Sequence, residues 1–133
     1  MDQVAAAQFA NLIGRFYQTL AMQIGDYLHE NIGIITTDQV SILSDDQTRL
    51  ISYSNTFFAL SDAIAFEGAD VYFRGVQDAT GQITDSLKHI GKVDKAIAIS
   101  ANVLSLAGGI VSKNTAMILA ALSSLKGDIK ESS

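Results

Sequence analysis

The chain has no proline, no cysteine and no tryptophan in 133 residues. Without cysteine there are no disulfides, thiolate metal sites or thiol nucleophiles, so the fold is compatible with any redox compartment. Without proline the commonest helix breaker is missing, and the β-branched alternation that builds half-buried strands is almost absent. Charge is also scarce, at 17% of residues against 48% apolar, which places the chain far from the disordered class and on the apolar side of soluble domains. It is scarcest at 96–125, where Lys113 is the one charged residue and aromatics are lacking; all ten Phe and Tyr residues lie at or before Phe73. A surface of that composition needs a cover, whether the rest of the chain, a second copy, another protein or lipid.

The length suits one domain over 1–133, large enough for a real core, with the polar stretch 126–133 expected to fray. The formal charge of −5 is uneven, with seven acids and two bases in residues 1–66 and seven of each afterwards. That balance argues against nucleic-acid binding, which needs Lys and Arg on phosphates. Asp2 stands where a leader would carry a base, and the apolar run Val4–Ala7 is short, so a cytoplasmic location is expected.

What is present is helical periodicity. From Val4 to Leu28 apolar residues recur at Ala5, Phe9, Leu12/Ile13, Phe16, Leu20, Ile24 and Tyr27/Leu28, with a stop near Asn31 and Gly33. The stretch 34–37 reads as a connector, with a short helical turn over 38–43. Ser44-Asp45-Asp46-Gln47 has the form of a capping box and predicts a helix start at Ser44. The stripe that follows is Leu50/Ile51, Ser54, Phe57/Phe58, Ser61 and Ile64/Ala65, with Arg49, Ser52, Asn55 and Asp62 outside and Glu67-Gly68 as its end. Ser54 and Ser61 are expected to be small packing residues bonded back to the preceding turn.

Between Asp70 and Lys92 the inner face reads Tyr72, Val76, Ala79, Ile83, Leu87 and Ile90, and the outer face includes Asp70, Arg74, Asp78, Gly81, Asp85 and Lys88. Gly91 and Asp94 predict a turn and a new N-cap, after which the apolar set continues through Ile97, Ala101, Leu104, Gly108 and Val111. A kink or a helix-turn-helix is expected at 112–115. The fold class is therefore all-α, a bundle of four to five helices compatible with self-association, and Phe16, Phe57 and Ile83 are central core candidates.

The candidate functional residues are two lines of small side chains spaced by four, Ala101/Ser105/Gly109 and Ala116/Ala120/Ser124, along which another backbone can approach closely. Lys88, Lys92 and Lys95 before the apolar segment, and Lys126 and Lys130 after it, would suit an interfacial anchor. Against a spanning segment, only 17 consecutive residues, Ala96 to Ser112, are free of charge, and they include Asn102 and three Ser. Asp26 with His29 and Glu30, and Asp85 with His89, could each place carboxylate and imidazole on one helix, but both sets fall on polar faces, whereas a bundle metal site points its ligands into the core. No nucleophile elbow, phosphate loop or buried acid/base pair occurs.

The expectation is a helical protein–protein interaction module, such as an adaptor, chaperone, immunity-type inhibitor or assembly subunit, and not an enzyme. Its partner would be another protein or itself, with no cofactor, metal, nucleic acid or small-molecule substrate. Peripheral or inserted membrane association through 96–125 is the alternative. The acidic, aromatic-rich first half, with Asp45, Asp46, Asp62, Tyr17 and Tyr53 expected on the surface, is the reserve binding face.

Overall fold

The structure, a computed structural model, describes residues 3–59, 74–78, 81–83, 85 and 92–132. It is an all-α bundle. Helix α1 runs Gln3–Asn31 and α2 Thr37–Ala59; helical residues at 74–78, 81–83 and 85 are what is described of α3; α4 runs Val93–Ser112 and α5 Thr115–Ser132. No described residue lies in a strand.

Helix α1 buries Ala10, Ile13, Phe16, Tyr17, Leu20, Ala21 and Ile24, spacings of three and four that make one face. At its end the Asn31 side-chain amide donates back to the Tyr27 carbonyl at 2.8 Å, and Gly33, at φ 84°, reverses the chain. The predicted helix start at Ser44 is corrected. Helix α2 begins at Thr37, and Ser44 is an exposed interior residue whose carbonyl accepts the Thr48 hydroxyl at 3.1 Å. The capping box is formed by Thr36 and Gln39: Thr36 Oγ1 accepts the Gln39 N–H at 3.1 Å, and the Thr36 N–H donates to Gln39 Oε1 at 2.9 Å. Both boxes fit the sequence pattern, but the chain has just left α1 at Gly33, so the amides after Thr36 need acceptors while those after Ser44 already have helical ones.

Two side-chain bonds fix α2 antiparallel to α1: the Ser54 hydroxyl donates to the Gly14 carbonyl at 2.8 Å, and Gln47 Nε2 to the Ala21 carbonyl at 3.1 Å. Ser54 therefore bonds across helices, not back along its own as expected. The α2 stripe is Leu43, Asp46, Leu50, Ser54 and Phe57. Phe58 and Ile51, expected inside, are 41% and 47% exposed, and the Phe58 ring lies over Gly14, where a Cβ would come within 2.7 Å of it.

Helix α4 starts with Lys92 in extended conformation at the N-cap and Asp94 inside the first turn, so Asp94 is not the cap predicted for it. Its buried face is Ala96, Ile99, Ser100, Val103, Leu106, Ala107 and Ile110. The predicted stripe through Ile97, Ala101, Leu104, Gly108 and Val111 is rotated to the half-buried and exposed side. The polar residues Asp94, Lys95, Asn102, Ser105 and Ser112 all stay off the buried face of α4, and two long-range polar contacts hold that rotation. The Ser100 hydroxyl donates to Asp46 Oδ2 at 2.8 Å, and the Tyr17 hydroxyl to the Val103 carbonyl at 2.7 Å. These contacts run α4 parallel to α2.

At 112–115 the chain makes a helix-turn-helix. Lys113 sits in the left-handed region at φ 58°; the Asn114 N–H returns to the Gly109 carbonyl at 2.9 Å and the Lys113 N–H to Ile110 at 3.2 Å, the pattern of a Schellman stop. Asn114 Oδ1 then accepts the Met117 N–H at 3.1 Å and caps α5. Helix α5 returns antiparallel through Ser132, with Asn102 Nδ2 donating to Asp128 at 2.7 Å.

Phe16, Phe57 and Ile83 are all buried, as expected, and Val76 joins them from α3. Tyr17, expected on the surface, is fully buried, with its ring centroid 5.3 Å from that of Phe16 and 5.4 Å from that of Phe57. The expectations for Ser61, Asp62, Ile64, Ala65, Glu67, Gly68, Asp70, Tyr72, Ala79, Leu87, Lys88, His89, Ile90 and Gly91 lie outside the described residues.

Candidate interaction surface

The small-residue positions divide into three groups. Gly109 is buried where α4 meets α5, and a Cβ there would sit 3.1 Å from both the backbone nitrogen and Cγ1 of Ile118. Its missing side chain is what lets the hairpin close. Ala101 and Ser105 are exposed and, with Gly108, form the floor of a groove of about 330 Å³. Its walls are Asp46, Arg49 and Tyr53 of α2 on one side and Met117 of α5 on the other.

Ala116, Ala120 and Ser124 are exposed on the outer side of α5. They share that side with Leu119, Ser123 and Gly127, all exposed, opposite the buried Ile118, Ala121 and Leu125. At 3.6 residues per turn these six form one face whose own residues carry no charge, with the exposed Lys126 at its edge. Leu119 is 55% exposed, and Met117 and Val111 are also exposed nearby in sequence.

Asp46, expected beside Asp45 on an acidic surface, is only 8% exposed, whereas Asp45 is exposed. Its position explains this: it lies three residues after Leu43 and four before Leu50 on the inward stripe. That spacing was the signal for it in the sequence. Tyr53 is half-buried, its ring 6.4 Å from that of Tyr17 and 6.2 Å from that of Phe57. The groove therefore has a polar wall backed by the aromatic core. A second slot of about 260 Å³, between α1 and α2, is lined by Gln18, Ala21, Met22, Gln47, Ile51, Ser54 and Asn55, none of them charged.

His29 is exposed at the end of α1, and among the described residues no three metal-ligating side chains come together. Helix α4 is long and apolar enough to cross a membrane, and just under half of its most apolar stretch is buried in the bundle. No protein-family model, curated protein sequence or solved structure matches this chain.

Proposed function

We propose that the chain is a small helical protein–protein interaction module, acting as an adaptor, chaperone, inhibitor or assembly subunit, whose contact surface is the outer side of the α4–α5 hairpin and the groove beside it. The observation that carries this reading is the α5 face of Ala116, Leu119, Ala120, Ser123, Ser124 and Gly127, exposed and without charge. A helix side turned permanently to water normally carries charged or long polar groups. Small side chains lose little rotamer entropy when covered and let a second backbone come close, while Leu119 and Met117 supply apolar area. On this reading the partner is another protein or a second copy, no cofactor or nucleic acid takes part, and the location is cytoplasmic.

Membrane association is the second reading, and the length and apolarity of α4 favour it. Size-exclusion chromatography with light scattering, followed by liposome flotation, separates the two. The interaction reading expects a discrete particle without detergent that stays at the bottom of the gradient; a protein that floats with vesicles overturns it in favour of lipid.

A further inference from the structure

Among the described residues, Asp46 is the one carboxylate lining the groove. Its Oδ2 accepts the Ser100 hydroxyl at 2.8 Å, and among the described residues it has no cationic partner, although Arg49 stands one turn further along the same wall. A carboxylate has acceptor sites on both oxygens, and one held at 8% exposure is stabilised best by a cation. Beyond Asp46 the groove is open and of mixed character: Ala101, Ser105 and Gly108 form its floor, Arg49 stands on the rim, and Leu104, Tyr53 and Met117 supply an apolar strip alongside. From Ala101 to Gly108 is two helical turns, about 10 Å, and the volume is at the lower end of the range for small-ligand sites.

We propose that this groove receives a primary ammonium group on an unbranched apolar stem, the chemistry of a lysine side chain presented by the partner protein, with the ammonium against Asp46 and the stem along Ala101, Leu104 and Gly108. The source of the group rests on the interaction reading; the chemistry rests on the groove alone. An ammonium is favoured over a guanidinium because Ser100 already takes one acceptor site of Oδ2, which competes with the two-oxygen geometry of an arginine fork more than with a point donor. The acidic balance of the chain favours approach of a cation. Arg49, exposed on the rim, opposes it only through solvent.

The test is titration of the full chain with n-butylammonium chloride, and with n-butanol as the neutral isostere, followed by amide chemical shifts. Butylammonium is expected to move the amides of Ala101, Ser105 and Gly108 saturably. Butanol, and butylammonium on Asp46→Asn, should bind about tenfold more weakly, the ratio of a charge-assisted to a neutral hydrogen bond. Arg49→Gln removes the rim charge without touching the core and should tighten binding about twofold to fivefold. Should Asp46→Asn fail to fold, the butanol comparison and Arg49→Gln carry the test. Equal binding of butanol and butylammonium, or shifts confined to the slot at Gln18 and Ile51, overturns the proposal. Sizing and flotation judge the interaction reading separately, so the two can fail independently.

Discussion

The Tyr17 hydroxyl donates to the Val103 carbonyl oxygen at 2.7 Å, joining α1 to α4 across 86 positions of sequence at the centre of the bundle. Together with Ser100 on Asp46, this bond holds the inward side of α4 against α1 and α2. That rotation leaves Ala101 and Ser105 outside. Tyr17→Phe keeps the ring packing and deletes the bond, so unfolding in urea should show a loss of about 0.5–1.5 kcal/mol, the usual net worth of one hydrogen bond.

The same phenol makes stability sensitive to alkali. Burial, with Tyr53 adding to it, raises the Tyr17 hydroxyl well above its ordinary value of about 10. The unfolded chain releases this proton above about pH 10 while the folded chain retains it, so the unfolded state binds fewer protons and stability falls as pH rises, by up to about 1.4 kcal/mol per pH unit. Tyr17→Phe should flatten that decline in urea midpoints measured between pH 9 and 11. Part of it should remain through Tyr27, raised by burial and then by Asp94.

The two candidate capping boxes give opposite outcomes. Thr36→Ala removes the acceptor for the Gln39 amide and should cost about 0.5–2 kcal/mol. Ser44→Ala, at an exposed interior position of α2, should stay within about 0.5 kcal/mol of the parent. Denaturation midpoints of the two single variants decide between the boxes.

Lys113 holds a left-handed conformation at φ 58° that costs a residue with a Cβ about 1–2 kcal/mol. Glycine relieves that cost but gains freedom in the unfolded chain, so Lys113→Gly should stabilise by about 0.5–1 kcal/mol in thermal or urea unfolding.

Helix content and the central core were legible because α1 has a clear polar side, so its period could be read directly, and Phe16, Phe57 and Ile83 stood mid-stripe. The rotation of α4 was only partly legible. Asp94, Lys95, Asn102, Ser105 and Ser112 mark an outer side of α4, but the small and apolar residues either side of it allow more than one inward stripe, and the buried Ser100 is explained only by Asp46 on a distant helix. The helix start at Ser44 failed for a related reason: a capping box is a local pattern, and Thr36–Gln39 fits it as well as Ser44–Gln47. Only the end of α1 at Gly33 makes the earlier box the functional one. Of the small-residue positions, spacing alone could not separate Gly109, which closes the hairpin, from Ala116, Ala120 and Ser124, which face outward. That distinction needs the partner helix in place.

Because Ala120 faces outward, Ala120→Leu should leave the urea midpoint within about 0.5 kcal/mol of the parent, as for other surface changes. Gly109→Leu should destabilise clearly, since its Cβ would meet the Ile118 backbone at 3.1 Å. The contrast in denaturation separates the exposed side of α5 from the hairpin core.

The most direct measurement of the central claim is site-specific photo-cross-linking in the source cells, with benzoylphenylalanine replacing Leu119 on the outer side of α5 and, as a control, Arg15 on the exposed side of α1. An interaction module predicts a discrete protein adduct, to another protein or to a second copy of this chain, from position 119 and not from position 15, and its loss on adding Ala120→Leu. Absence of a protein adduct at 119, capture of lipid there, or an adduct that Ala120→Leu leaves unchanged would contradict the account.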